Sequence, residues 1–121
     1  LEFRRVLFRS ATLPPVNAVV NPNKNGPGHG LPEPTVGQRY LLLEMPSFDN
    51  ASWGTMSDAN VNDIIEFNGN GWVVSFSAEV NQYTTQYVVN LFNGKLLQWT
   101  GGEWSEYVQK SYKPGEWRLA M

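Results

Sequence analysis

The sequence predicts a small all-β domain, an antiparallel meander or sandwich-like sheet built from glycine-cornered hairpins and preceded by a Pro/Gly-rich linker. Short runs of β-branched and aromatic residues are separated by Gly, Asn, Asp and Ser, and no 3.6-residue apolar period persists beyond about two turns. Glycine-bearing turns join several of these runs. Because 121 residues suffice for one modest core, we expect a single domain.

The first ten residues differ from the rest of the chain. Residues 1–10 hold three of the nine Lys and Arg side chains, and they match in order the translation of a common sequencing-library adapter. We therefore interpret them as a non-native segment and exclude them from fold reasoning, with a genuine basic arm as the alternative. A metagenomic fragment of this kind is expected to derive from a protein that extends further towards its N-terminus. Without the segment, six basic and ten acidic side chains remain, a net charge of −4.

A proline- and glycine-rich segment comes next. Residues 11–34 contain six prolines together with Gly26, Gly28 and Gly30. Proline removes a backbone donor and glycine raises the entropic cost of ordering, so this composition disfavours both helix and sheet. We predict a linker over 11–34, in turns and extended polyproline II, and an antiparallel β domain over 35–121.

The β domain contains seven candidate strands, at 38–44, 63–67, 72–76, 86–92, 95–99, 104–108 and 116–120. Residues 46–62 are predicted to form a loop with at most one helical turn. The strongest turn signal is Asn93-Gly94, which predicts a two-residue type I′ hairpin. Residues 68–71 and 100–103 are predicted to join their strands in the same manner.

The sequence also contains an internal repeat. Residues 64–72 align without gaps to residues 96–104, and each copy has two aliphatics, a polar residue, an aromatic, a glycine-bearing turn and a Trp. We expect the aromatic before each turn to pack against the Trp after it across the two strands. The structural residues of the two copies are Phe67, Gly69 and Trp72 in the first, and Trp99, Gly101 and Trp104 in the second.

Five tryptophans in so short a chain allow two interpretations. The favoured one is that they fill the core, because large rings bury much area in a small domain. The alternative is an exposed surface that stacks on sugars or on a partner protein. Trp53 and Trp117 lie outside the repeat and are expected to be the more exposed. The full candidate surface is Trp53, Trp72, Trp104, Tyr112 and Trp117.

Little in the sequence points to catalysis. Cysteine is absent, and the only histidine, His29, lies in the predicted linker, so no catalytic residue and no cofactor-binding residue is assigned. Residues 58–63, with Asp58, Asn60 and Asp63 among them, place oxygen ligands at alternating positions like the start of a calcium loop, but Asp63 stands where the sharp turn needs glycine and Gly69 where the bidentate Glu should be. Capping of a turn is the favoured role for these side chains and a calcium site the alternative, so no metal site is assigned.

Composition also limits the partners. The chain has no basic excess of the kind that binds phosphates, and no apolar run approaches the roughly 20 residues of a membrane-spanning helix. We therefore expect neither a nucleic-acid partner nor a membrane partner.

Four stretches of the chain carry motifs in a distinctive order. Residues 31–42 carry a Pro-x-x-Gly-x-Arg-Tyr-aliphatic first strand, residues 51–54 read Ala-Ser-Trp-Gly, and residues 63–74 and 97–104 contain the paired hairpins with an aromatic, a Gly turn and a Trp. Together these stretches resemble a recurring module of tailed-bacteriophage virion proteins, including tail-associated ones. The resemblance extends from about residue 31 to 119, and the long loop at 48–62 departs from it. It implies a structural part of a virion that assembles into a multimer and has no catalytic residues.

The expected function is therefore that of a non-enzymatic structural domain of a phage particle, in the tail, neck or a fibre, where it serves assembly or adhesion through strand edges and aromatic rims. Its expected partners are other virion proteins or further copies of itself, and a host-surface glycan for adhesion. Its expected location is the virion, after synthesis in the host cytoplasm. The alternative is a carbohydrate-binding module. Three or more coplanar exposed rings would favour sugar binding, whereas buried rings with free strand edges would favour assembly.

Overall fold

The computed structural model of the chain describes residues 12–47, 51–54, 56 and 58–107. Within them lie two 3-10 turns, Ala51–Trp53 and Glu79–Asn81, and nine strands: β1 (Ala18–Val20), β2 (Gly26–Pro27), β3 (Gly30–Leu31), β4 (Arg39–Leu42), β5 (Ile64–Phe67), β6 (Trp72–Phe76), β7 (Gln86–Asn90), β8 (Lys95–Trp99) and β9 (Trp104–Glu106). The all-β class with antiparallel sheets is confirmed.

Two antiparallel meanders organise the strands. One is β4-β5-β6, which becomes a four-stranded sheet in the order β1-β4-β5-β6 because β1 adds in parallel to β4. The other is the three-stranded sheet β7-β8-β9. The predicted strands at 72–76 and 95–99 have the observed bounds, and those at 38–44, 63–67 and 86–92 are shorter by one to three residues. The strand predicted at 116–120 and residues 1–10 lie outside the described residues.

The four-stranded sheet is buried on both faces, because apolar side chains alternate along its central strands. On β4, Tyr40 and Leu42 face one cluster and Leu41 faces the other. On β5, Ile65 faces the first cluster and Ile64 faces the second. The first cluster comprises Val20, Tyr40, Leu42, Trp53, Ala59, Ile65 and Trp72. The second comprises Val16, Leu41, Ile64, Phe76, Val88 and Trp99, so it joins the two sheets.

A β-bulge lets the single strand β6 contribute side chains to both core clusters. Ile65 pairs with Val74, but Ile64 pairs with Phe76, which leaves Ser75 as the extra residue. Side chains alternate along a strand, so one inserted residue moves the following side chain to the opposite face. Phe76 therefore leaves the face used by Trp72 and packs between the two sheets.

The predicted linker over 11–34 is wrong for the stretch that begins at Thr12. Val16 has 0% exposure and Val20 5%, and they lie in different clusters of the core. Thr12 and Val16 form parallel bridges to β7, and Ala18–Val20 pairs with β4, so this stretch joins both sheets. Its prolines do not prevent pairing, because the bonds to β7 use the N–H groups of Leu13 and Val16 on either side of the Pro-Pro pair.

The hairpins are confirmed, but their turn types differ from the prediction. The β7-β8 loop has four residues, because Asn90 pairs with Lys95, and Asn93 does not have the positive φ that type I′ requires. The Asn90 carbonyl accepts the Gly94 N–H at 2.7 Å and its side chain accepts the Phe92 N–H at 3.0 Å, which stabilises the wider loop.

The two repeat hairpins also turn differently from the prediction. In each, the glycine is the first central residue and has positive φ, 99° at Gly69 and 96° at Gly101. The second central residues, Asn70 and Gly102, do not. A positive φ at the first central position alone is the sign pattern of type II′ rather than type I′.

Candidate functional site

In each repeat hairpin, two aromatic rings on opposite strands pack against each other. Phe67 is the cross-strand partner of Trp72, and their ring centroids lie 5.2 Å apart. Trp99 is the partner of Trp104, with centroids 5.5 Å apart. The predicted aromatic pairs are therefore confirmed at both turns. Each pair continues into the core, where Trp72 contacts Trp53 and both Trp99 and Trp104 contact Phe76.

Trp53 is a core residue, so the expectation that it would be among the more exposed tryptophans is wrong. It is only 1% exposed, and its indole N–H donates to the Pro22 carbonyl at 3.0 Å. Its ring lies 5.0 Å from that of Trp72 and 5.9 Å from that of Tyr40. The 3-10 turn Ala51–Trp53 brings the ring there, since it packs beside β2 over the first core cluster.

The remaining members of the candidate surface do not form a flat aromatic face in the described part of the chain. Trp72 is 7% exposed, and half-buried Trp104 donates its indole N–H to the Asn62 carbonyl at 2.9 Å. Tyr112 and Trp117 lie outside the described residues. The rings that sequence analysis offered for stacking are used for packing wherever the structure describes them, so Trp53 and Trp72 are corrected from binding to core residues.

The exposed large apolar side chains lie in separate segments. Tyr83, at 98% exposure, and Val80 belong to the loop around the 3-10 turn Glu79–Asn81, whereas Phe92, at 82%, lies at the tip of the β7-β8 hairpin. Val36 precedes β4. Single exposed apolar residues are ordinary on protein surfaces, so none of them defines a site by itself.

A buried charged group links three strands of the larger sheet. Arg39 of β4 is 7% exposed, and its Nη1 donates to Oε1 of Glu66 and to Oγ of Ser75, each at 2.8 Å. Its Nε has no hydrogen-bond partner. The guanidinium therefore links β4 to β5 and to β6, the outer strand on this side of the sheet.

Asp63 acts as a cap for two loops. Its Oδ2 accepts the Asn60 N–H at 2.9 Å and its Oδ1 accepts the Ala78 N–H at 2.8 Å. Burial of the carboxyl raises the pKa of Asp63 above its ordinary value of 3.8, against the opposing effect of these two bonds. The favoured turn-capping role is thus observed at Asp63. Within residues 12–47, 51–54, 56 and 58–107, no group of three or more His, Asp or Glu side chains is placed to hold a metal.

The cavities on the described surface include two of several hundred Å³. One, of about 430 Å³, flanks β1 and is lined by Asn17, Ala18, Val19, Val20, Asn25, Gly30, Leu31, Pro32, Gln38, Tyr40 and Phe92, of which Tyr40 is the only titratable residue. Burial raises the pKa of Tyr40 above 10.0, so its hydroxyl stays protonated at neutral pH. The other, of about 320 Å³, is lined mostly by polar residues, among them Lys24, His29, Ser47 and Ser52.

The outer edges of β6 and β9 are unpaired within the described residues. Each edge strand begins with the Trp that follows a repeat turn, Trp72 in β6 and Trp104 in β9. In an antiparallel pair, successive residues direct their N–H and C=O groups alternately towards the partner and away from it. An unpaired outer strand therefore presents every second backbone unit to solvent. Sequence analysis named strand edges in general but had no signal for which strands would be outermost.

No protein-family model, no curated protein and no solved structure matches this chain. No helix among the residues that the structure covers has the length and apolar character needed to cross a membrane. Within the described residues, the fold is that of a small all-β protein whose tryptophans are buried or half-buried and whose strands β6 and β9 have open outer edges.

Proposed function

We propose that this chain is a non-enzymatic structural domain of a tailed-phage particle and that it acts by assembly through its strand edges. The observation that carries the proposal is the combination of Trp53, Trp72 and Trp99 in the core, at 1%, 7% and 2% exposure, with the strands β6 and β9, whose outer sides have no strand partner in the described residues. Open strand edges are templates for pairing with another chain.

The location of the rings favours assembly over sugar binding. A carbohydrate-binding face needs several exposed rings in one plane, because sugars stack on the ring faces. In the described residues, Trp104 is the only member of the candidate surface with partial exposure, and it is held by Phe76 and Trp99. One half-buried ring gives little area for a sugar.

The polar groups support a structural role in the same way. The Asp63 oxygens accept backbone N–H groups, and the Glu66 carboxylate is held by Arg39. A general acid or base needs a group that is free to exchange a proton with a substrate. The resemblance of residues 31–119 to virion modules supports a phage particle as the assembly to which the domain belongs. Its partners there are other virion proteins or further copies of this chain.

Two measurements test the proposal. The full chain is applied to a glycan array, with Trp104→Phe as a control that keeps a ring at that position. We expect no glycan to bind. Strong binding that Trp104→Phe weakens would overturn the proposal in favour of a carbohydrate-binding module. The genes beside the parent reading frame are sequenced as well. We expect capsid, sheath or baseplate genes, and polysaccharide-degradation genes would contradict the proposal.

A further inference from the structure

We propose that two copies of this chain pair edge to edge through β6, antiparallel, about a two-fold axis that passes beside Val73. The inference rests on the proposed function and names its partner as a second copy. The pairing would join two four-stranded sheets into one continuous eight-stranded sheet, in which each copy contributes the same strand, β6.

The backbone of β6 has donors and acceptors on its outer side. The Phe67 N–H donates to the Gln38 carbonyl at 2.9 Å and the Phe67 carbonyl accepts the Gly37 N–H at 2.9 Å, so Phe67 directs both groups away from β6. Its cross-strand partner Trp72 therefore directs its own groups outward, and Val74 does the same two residues further on. Two N–H and two C=O groups line the edge before the bulge at Ser75.

The side chains of β6 lack the features that normally block an edge. Protected edge strands carry charged side chains, proline, a β-bulge or a very short paired segment. β6, Trp-Val-Val-Ser-Phe, has no charged side chain and no proline, and its bulge at Ser75 confines the open edge to residues 72–74. The other open strand, β9, includes Glu106, whose carboxylate lies 2.7 Å from the Lys95 ammonium. Of these two edges, β6 is the one without a charged side chain. A third outer strand, β1, has only three residues and borders the cavity lined by Leu31, Pro32 and Phe92.

The two-fold register follows from which residues point outward. If Trp72 of one copy faces Val74 of the other, each such pair forms two N–H···O bonds, and the symmetry gives four in all. Val73 then lies directly opposite its own counterpart, in the pair type whose side chains approach most closely. Val73 is 43% exposed, so the pairing covers apolar surface that is otherwise open.

The charge around the axis favours a second copy over a charged partner. Glu66 is the cross-strand partner of Val73, but Arg39 holds its carboxylate at 2.8 Å. The nearest charges of each copy are thus compensated internally, and two uncharged strands meet at the axis. An uncharged strand suits an isologous contact, because a charge at the axis would face the same charge on the partner.

Introduction of a charged side chain at position 73 tests the pairing. Sedimentation velocity is measured for the full chain up to millimolar concentration, with Val73→Thr as a β-branched control and with Val73→Lys and Val73→Glu. We expect the wild-type chain and Val73→Thr to dimerise, and each charged variant to dimerise at least about tenfold more weakly because like charges meet at the axis. An equimolar mixture of Val73→Lys and Val73→Glu should recover dimers. Circular dichroism checks that all variants keep the fold.

Three outcomes would overturn the pairing. They are a wild-type chain that stays monomeric, charged variants that dimerise like the wild type, and a mixture that does not recover. None of these outcomes contradicts the proposed structural function if no glycan binds on the array and phage structural genes flank the parent reading frame. Conversely, Val73-dependent dimers together with Trp104-dependent glycan binding would support the pairing and contradict the function.

Discussion

Replacement of Val16 by Ala tests whether the proline-rich N-terminal stretch belongs to the fold. Val16 has 0% exposure, packs in the cluster between the two sheets, and donates its N–H to the Val89 carbonyl at 2.9 Å. The substitution removes two buried methyl groups, each contributing about 0.8 kcal/mol, and leaves a small cavity. We expect the free energy of unfolding to fall by about 2–3 kcal/mol, a large part of the roughly 5–15 kcal/mol typical of a domain.

The assay is urea denaturation followed by tryptophan fluorescence, with Val36→Ala as the matched control. Val36 is 74% exposed, so the same chemical change should alter the free energy of unfolding by less than about 0.5 kcal/mol. If Val16→Ala is as mild as Val36→Ala, the stretch is not part of the core. Equal and large losses at both positions would refute the assignment of exposure on which the comparison depends.

Three further changes test the turns, the buried carboxyl and the ring cluster. Gly101→Ala should cost at least about 2 kcal/mol in urea denaturation, because φ is +96° and a Cβ would overlap the Gln82 carbonyl oxygen, whereas Gly102→Ala should be nearly neutral. For Asp63, the raised pKa means that the folded state binds more protons just above pH 3.8. The free energy of unfolding, measured relative to Asp63→Asn, should therefore fall as pH rises through this window. Trp53→Phe should cost about 2–3 kcal/mol through the lost ring volume and lost hydrogen bond.

Each of these expectations has a contrary outcome. Equal effects at the two glycines would mean that the turn tolerates a side chain at its first central position. A stability difference that grows with pH would mean that Asp63 gains more from its hydrogen bonds than it loses by burial. A neutral Trp53→Phe, together with ready quenching of the native fluorescence by iodide, would place that ring on the surface.

The hairpins could be predicted from sequence because their determinants are local. Between Phe67 and Trp72, and between Trp99 and Trp104, the turn glycine and both rings lie within six residues, so the alignment of 64–72 with 96–104 contains the whole interaction. The exact turn type was less accessible. In the β7-β8 loop the deciding contact is a hydrogen bond from Gly94 to the carbonyl of Asn90, which competes with the two-residue turn that Asn-Gly favours.

The N-terminal stretch and Trp53 could not be placed from sequence because their partners are distant. Val16 pairs with Asn90, and the Trp53 indole bonds to the Pro22 carbonyl. No local period marks a single parallel bridge, and proline-glycine composition is the same whether a segment is a linker or an irregular part of a core. The bulge at Ser75 is similar, since it becomes visible only when β5 and β6 are aligned in space.

The arrangement of the repeat explains why one set of residues both builds the core and leaves the edges open. In each copy the Trp after the turn begins an outer strand, Trp72 in β6 and Trp104 in β9, and its ring turns inward to meet the aromatic before the turn. A residue in a non-hydrogen-bonded pair has its side chain closest to its partner and its N–H and C=O directed away. The same pairing that brings the rings together at Phe67 and Trp99 therefore aims the Trp backbone at solvent. Residues 12–20 pair with β7 and β4 at the opposite sides of the two sheets, where β1 becomes the outer strand of the larger sheet, so the repeat determines the outer strand at the other side of each sheet.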